Sequence, residues 1–470
     1  MACRNLLFLL LLNKGIDITT AGSHSATLKI DLRKPKCYPV AMSPKWMIVN
    51  VAGLGWSEVS SRRLSRVAGI DLAPAASVFP AVTCTAQASF RTASEPRKHG
   101  MVANGLFDRR LRKASLWEQS SALVAGPRIW DAARAAGRTT GMFFWQQSLG
   151  ETADYLISPA PVHFHHGGMA METYTRPHEL AHLLLAQCGQ FPLNRYWGPL
   201  ASPKVGNAVV AYAEAALAAI SPDTLFVYLP TLDYDLQRFG PADDRCDRSF
   251  ALLRNQFGRL AALAEKRGFE MLVFGDYAIT QVNQAPAMPN VTLRKAGLFA
   301  TRTVHGMAYP DLNASRAFAL ADHEIAHVYV KDPADVPLVA ETLAATGVYE
   351  SAARKSPDAS WGHAAAGEIL LTAMPGSWCA YPWWTDTREA PDFATHVDIH
   401  AKPGYDPCEL FFGFNRGRLG TSLDVTRIGG THGRPSTIAF GTSAPLPGLP
   451  QSPSLVSLAA ALAKSLVHNP

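Results

Sequence analysis

Apolar runs of strand length, set between amphipathic helical segments, constrain this chain more than any other feature. WMIVNVAGL (46–54), MFFW (142–145), TLFVYLP (224–230) and FEMLVFGD (269–276) are such runs. A strand that is apolar on both sides must be covered on both sides, the situation of a parallel sheet clad with helices. The segment from Asp247 to Gly268 supplies one covering helix, with Phe250, Leu253, Phe257, Leu260 and Ala264 at helical spacing and Gly268 as its stop. The pattern predicts an α/β fold, a layered core with a mostly parallel central sheet flanked by helices. In such sheets ligand groups gather at the carboxyl ends of the strands. Those ends fall at Ala52-Gly53, Thr83, Asp233 and Asp276, the second of them after a strand ending Ser77-Val78-Phe79 and a turn opened by Pro80.

Composition narrows the class further. The 470 residues are 48% hydrophobic and 17% charged, enough to bury a large core. The net charge of +6 arises from 44 basic and 38 acidic residues spread along the chain. No basic run or aromatic-basic interleaving marks a nucleic acid polymer as partner, whereas a small anionic substrate is compatible with that balance. Seven cysteines, none in a Cys-x-x-Cys spacing, read as reduced thiols and point to a cytoplasmic setting. The apolar run Leu6–Leu12 is far too short for a membrane span and sits at the lower limit for a signal peptide, which leaves export as the alternative. Residues 1–41 are predicted to be a flexible tail, 42–436 the folded domain, and the Pro/Gly-rich stretch opening 437–470 a second tail.

The segment FPAVTCTAQASFRTASEPRKHGMVANG (79–105) carries the strongest local signal. A helix beginning near Thr83 presents unpaired backbone N–H groups and a positive dipole end, which attract an anion such as phosphate. Thr83 could equally be a plain N-cap. The segment resembles the nucleophile region of the type I phosphodiesterase/nucleotide pyrophosphatase family of the alkaline phosphatase superfamily, in the pattern Pro80, Thr83, Thr92, Pro96, His99, Gly100 and Asn104, with Ala93 where that family has glycine. YLPTLDYDLQRFGP, VFGDYAIT and GGTHGRPS resemble the later motifs of the same family in the same order.

The resemblance implies an alkaline-phosphatase-like core with a hairpin-containing insertion and a hydrolase of phosphodiester or pyrophosphate bonds in small, nucleotide-like substrates. It implies Thr83 as nucleophile and Asn104 as donor to the transition-state oxygens, with divalent metal (Zn, Mn or Mg) held by Asp233, Asp276 and His432; Gln237, standing where the family has a histidine, is a further candidate oxygen ligand. Three of the family's six protein ligands are replaced here, by Ala52, Gln237 and Tyr277. The remaining donors are mainly oxygen and suit a hard cation better than a zinc pair. A catalytically weak relative that binds a phosphorylated metabolite or a protein partner is the alternative reading.

Other clusters compete. His323-Glu324-Ile325-Ala326-His327 is a literal His-Glu-x-x-His, a zinc-protease signature on a helix. RAFALADHEIAHVYV instead reads as a β-hairpin with Glu324 at an exposed centre, and on a strand the two histidines would stand about 13 Å apart. In VDIHAKPGYDP, His400 and Lys402 are candidate phosphate-binding residues. HFHH (163–166) reads as a solvated loop, while Phe143–Trp145 and Trp383-Trp384 read as core. Cys84, with no sequence neighbour to lower its pKa, reads as a small buried hydrophobe.

Overall fold

The computed structural model describes residues 43–165, 169–415 and 417–467; the expected N-terminal tail and the question of export lie outside them. In chain order, β1 (Lys45–Val51), β2 (Ala73–Ala76), β3 (Thr140–Phe143), β4 (Tyr155–Pro159), β5 (Thr173–Arg176), β6 (Thr224–Leu229) and β7 (Phe269–Gly275) belong to the central sheet. Four strands then form a smaller sheet: β8 (Ala317–Asp322), β9 (Ile325–Val330), β10 (Tyr349–Arg354) and β11 (Ile369–Ala373). The chain returns to the central sheet as β12 (Thr437–Thr442).

The eight central strands run β5-β4-β3-β6-β1-β7-β12-β2. The inner five, β4 to β7, are mutually parallel, and β5, β12 and β2 add antiparallel edges. The apolar runs of the sequence are those inner strands, and β1, β3, β6 and β7 are buried along nearly their whole length. Helices α1 (Thr83–Thr92), α2 (Val205–Ala219), α3 (Asp233–Phe239), α4 (Asp247–Arg267) and α5 (Leu455–Val467) cover the sheet. Gly268, at φ 70°, stops α4 in the left-handed conformation that glycine adopts without a Cβ penalty.

Two expectations are corrected here. The segment before Thr83 is not a parallel strand ending at Phe79: its strand, β2, ends at Ala76 and pairs antiparallel with β12 at the sheet edge. Pro74 fits that edge place, since it has no N–H to donate. Residues 437–467 are not a tail. Strand β12 pairs with β7, opposing Phe440 to Phe274, and α5 buries Leu455, Leu458, Leu462 and Leu466 at helical spacing against α1. The Pro/Gly-rich stretch that suggested a tail is the connection between these two elements.

Helix α1 is anchored from its far end. Arg91 is fully buried, donates to the carbonyls of Gln146 and Gln147 (2.7 Å to the latter) and pairs with Glu151 at 3.3 Å. Glu151 also holds Arg128 at 3.0 Å. Burial pushes the Arg91 guanidinium down to about 10, so it remains charged at neutral pH and is compensated by Glu151 and the two carbonyls. Phe90, one residue earlier, stacks on Phe274 of β7 at 4.2 Å. These contacts fix where the N-terminus of α1 lies.

The smaller sheet is fully antiparallel, with β8 and β9 forming the expected hairpin. Its turn residues are His323 and Glu324, so the His-Glu-x-x-His string is not helical. His327 turns away to bond the Val102 carbonyl at 3.1 Å. Glu324 is not at an exposed centre; it is wholly buried. Its carboxylate accepts from Thr280 Oγ1 (2.7 Å), Arg434 Nε (2.9 Å) and the Arg434 backbone N–H (3.0 Å). The two-residue turn folds inward against the loop that carries His432, which sequence alternation cannot reveal. Among the described residues no helix is long and apolar enough to cross a membrane.

Removing one partner of a buried pair strands the other, so Glu324→Ala should destabilise the fold by roughly 3 kcal/mol, discounted for the partial exposure of Arg434. Urea denaturation followed by circular dichroism measures this; an unchanged midpoint would contradict the placement of Glu324.

Candidate active site

Thr83 is the first residue of α1, and its predecessor Val82 provides no side-chain cap. The threonine hydroxyl is therefore not spent on the helix end. It donates to the Tyr277 hydroxyl at 3.3 Å, and that hydroxyl donates to Asp233 Oδ1 at 2.8 Å. Asp233 opens α3 just beyond β6, and Tyr277 lies just beyond β7, so three strand-to-helix or strand-to-loop turns meet at one point. Gln237, one helical turn after Asp233, donates to its Oδ2 at 2.8 Å and accepts from the Tyr405 hydroxyl at 2.9 Å. Burial raises Asp233 above the ordinary carboxylate range, offset by the hydrogen bonds from Gln237 and Tyr277.

Four rings stack along one wall of this cavity. Tyr277 lies flat on His432 with centroids 3.5 Å apart and planes 4° from parallel. His432 meets His323 at 3.7 Å, and His323 meets Tyr405 at 3.9 Å. His432 is fixed by a 2.9 Å contact of Nδ1 to the Ala81 carbonyl. Burial holds both histidines well below their usual pKa, so they are neutral.

The residues present do not fit the metal pair that the family resemblance implies. Both Asp233 oxygens are occupied by protein donors, and the Tyr277 ring fills the space between Asp233, Thr83 and His432. Asp276 Oδ1 accepts the backbone N–H groups of Gly53 (3.1 Å) and Tyr277 (3.0 Å), while Oδ2 is buried with no partner. Burial raises Asp276 well above the usual range, as for a protonated acid. Asn50 and Asp235, near the lost ligand positions, are tied elsewhere, Asn50 to Gln87 (2.8 Å) and Asp235 to Ser249 (2.6 Å). Among the described residues no three His, Cys, Asp or Glu side chains form a metal-holding group.

Of the other predicted site residues, Asn104 lies beside Thr83 but is engaged. Its Oδ1 accepts the Cys84 backbone N–H at 2.9 Å and its Nδ2 donates to Asp322 Oδ1 at 3.0 Å. Lys402 and His400 do not supply charge to the cavity. Lys402 is buried behind it between Asp406 (2.8 Å) and Glu409 (2.6 Å), and His400 lines a separate surface cleft with Arg112 and Arg302, its ring 5.6 Å from that of His163. Cys84 is wholly buried, and desolvation pushes its thiol up to about 12, which excludes it as a thiolate nucleophile. Trp145 and Trp383 are core, as expected.

Sequence reasoning missed three participants. Tyr277 is an active hydrogen-bonding group rather than merely a lost histidine, and Tyr405 closes the ring of contacts through Gln237. His323 belongs to the cavity too. Its Nδ1 contacts Asp322 Oδ1 at 2.7 Å, and Asp322, raised by burial to about 6, is steadied by the Asn104 backbone N–H (2.7 Å) and amide. The only sequence hint was the His-Glu-x-x-His string, and it pointed to a different chemistry. His323 holds φ 61°, which costs a non-glycine residue on the order of 1 kcal/mol and persists only where its surroundings enforce it.

Solved structures of similar fold share this architecture. Phosphonoacetate hydrolase from Sinorhizobium meliloti 1021, in complex with phosphonoformate, superposes with a TM-score of 0.58 at 14% identity, covering 90% of this chain and 96% of that one. An inactive form of murine ectonucleotide pyrophosphatase/phosphodiesterase 5 in complex with AMP gives 0.52 at 13% identity, covering 91% and 96%. The human protein of that name gives 0.53 at 13% identity, covering 90% and 95%. No curated protein matches the sequence significantly. The sequence profile named type I phosphodiesterase / nucleotide pyrophosphatase matches residues 63–406, most of the chain. With that match and the layered α/β core around Thr83, the chain belongs to the type I phosphodiesterase/nucleotide pyrophosphatase family, a family of hydrolases.

Proposed function

We propose that this chain hydrolyses a phosphodiester or pyrophosphate bond in a small, nucleotide-like substrate, with Thr83 as nucleophile and without the family's metal pair. The observation that carries this reading is the directed chain from Thr83 Oγ1 through the Tyr277 hydroxyl to Asp233 Oδ1. As Thr83 Oγ1 bonds to phosphorus, its proton passes to the Tyr277 oxygen while the Tyr277 proton passes to Asp233; the ester P–O bond breaks and the leaving oxygen is protonated from solvent. A buried carboxylate with a raised pKa accepts that proton more readily than an ordinary one. Water then attacks phosphorus, the bond from phosphorus to the Thr83 oxygen breaks, and the proton held by Asp233 returns through the Tyr277 hydroxyl to that oxygen. Neutral His323, oriented by Asp322, faces the same cavity and is suited to take the proton of that water.

A second reading, binding without turnover, is favoured by Asn104, whose amide is already committed at both ends. Turnover of a nitrophenyl phosphodiester by protein treated with a chelator separates the two. Under the hydrolase reading, activity survives chelation, Thr83→Ala abolishes it and Cys84→Ala changes it less than about threefold. Equal activity of Thr83→Ala and the parent protein refutes the nucleophile. Absence of turnover in the parent, with and without added Zn, Mn or Mg, favours the binding reading.

The relay also predicts that Tyr277→Phe lowers kcat on the order of 100-fold with little change in KM, since proton transfer rather than binding is lost. The Asp322 carboxylate orients His323 only when ionised. Its folded-state pKa is raised to about 6, so kcat should fall as pH drops through about 6, and Asp322→Asn should remove that limb of the profile. A flat profile down to pH 5 would exclude Asp322 from turnover.

A further inference from the structure

The cavity over Thr83 must hold an anionic phosphoryl group with no cationic side chain on its wall. Asp233, Asp406 and Glu409 line it, and among the described residues no lysine or arginine does. Asn104, the donor that the family resemblance implies, is not part of that wall, and its amide is committed at both ends. Two side-chain amides do line the cavity, Gln237 and Gln146. Gln237 donates to Asp233 and accepts from Tyr405, which fixes both of its ends. Gln146 keeps its donors, because a row of buried amides behind it takes everything else.

The row begins on β1. Asn50 donates from Nδ2 to the Phe274 carbonyl (3.4 Å) and accepts from Gln87 Nε2 (2.8 Å), which leaves Gln87 Oε1 to accept the Gln146 backbone N–H at 2.7 Å. Gln87 stands four residues after Thr83 on α1, one turn along the same face. The Gln146 backbone is therefore pinned one turn from the nucleophile, and its carbonyl accepts from the buried Arg91 guanidinium. The side chain is oriented from another direction. Gln119 must turn Nε2 toward the Trp117 carbonyl (2.9 Å), since a carbonyl only accepts, and the same Nε2 donates to Gln146 Oε1 at 2.7 Å. With Oε1 occupied, the two N–H groups of Gln146 are its free polar end. Among the described residues no protein acceptor meets them. Gln146 is only 3% exposed, yet its amide nitrogen is not one of the polar atoms sealed away without a partner.

We infer that Gln146 donates to a non-bridging phosphoryl oxygen in the transition state, an inference that rests on the reading of the Thr83 cavity as the phosphoester site. As Thr83 Oγ1 closes on phosphorus, charge gathers on the equatorial oxygens, and a donor already oriented toward them stabilises it without reorganising. A neutral amide suits this wall better than a cation. An ammonium placed there would be drawn to the carboxylates, as Lys402 is drawn behind the wall to Asp406 (2.8 Å) and Glu409 (2.6 Å). Asn50, Gln87 and Gln146 are all buried, so each amide is held in the one orientation that satisfies its neighbours.

The test removes the donor and keeps the shape. In the full chain, Gln146→Met should lower kcat for a nitrophenyl phosphodiester about 100-fold while KM changes less than about threefold, the cost of one transition-state donor. Gln119→Leu removes the bonds that orient the amide but not the amide, and should lower kcat about tenfold at unchanged KM. If Gln146→Met fails to fold, Gln119→Leu decides, and a kcat equal to the parent's overturns the inference. Orthovanadate, whose trigonal-bipyramidal adducts mimic the transition state, should bind Gln146→Met about tenfold more weakly than the parent in calorimetric titration, whereas inorganic phosphate should weaken less than about threefold. An active parent with a Gln146→Met kcat within about tenfold of it, or a loss carried by KM alone, overturns the inference and leaves the hydrolase reading standing. A parent without turnover refutes the hydrolase reading, and vanadate then decides for Gln146: equal affinity in parent and variant, or binding by neither, overturns the inference.

Discussion

The hydrogen bond between the Tyr277 hydroxyl and Asp233 joins the three turns that make the cavity. It links the end of β7 to the start of α3, and through the same oxygen it reaches Thr83 at the start of α1. Each of these turns follows a buried strand or helix entry that could drift independently by a fraction of an ångström. A phenol donating to one group and accepting from the other permits only one relative placement. A neutral phenol between a carboxylate and an alcohol is also a weaker polariser than a dication, so the mechanism we propose exchanges electrostatic strength for a defined proton path.

The wider frame is arranged to keep that point still. Arg91 secures the far end of α1 through Glu151 and two carbonyls, so the helix cannot slide away from Tyr277. The buried hairpin turn of Glu324 meets Arg434, two residues after His432, and thereby sets one end of the ring stack. Both are buried ion pairs whose net contribution to stability is small, because desolvation cancels most of the attraction. Their role is geometric: each is satisfied in one arrangement and left with an uncompensated charge in others.

The family's chemistry and this cavity differ in a consistent direction. Against the ligand set that the family resemblance implies, Ala52 stands in place of a carboxylate, Gln237 stands in place of a histidine and donates to Asp233, and the Tyr277 ring fills the space beside them. A site that merely lost a ligand would leave polar atoms unpaired. Here Asp233, Gln237, Tyr277 and Tyr405 form a closed set of partners, while Asp276 Oδ2 and the Tyr196 hydroxyl are buried without one.

The sequence by itself determined the parallel core, because strands apolar on both faces need a cover on each side, and it placed strand ends at Asp233 and Asp276, where the apolar runs stop. Thr83, Asp233, Gln237 and His432 came together only through the family resemblance, and the fold brings all four to one cavity. The sequence could not show that β12 and α5 complete the sheet and cover α1, since a strand between Pro/Gly-rich turns has the composition of a tail. Nor could it place Glu324, His323 or Tyr405, which meet the site across separations of tens to hundreds of residues; alternation along a strand reports which face is buried but not what lies against it. Whether Lys402 offers its charge to a ligand was likewise a tertiary matter. Two carboxylates within four and seven residues of it, Asp406 and Glu409, claim the ammonium only because a short helical turn folds them back onto it, and that closure turned a candidate phosphate ligand into part of an acidic wall.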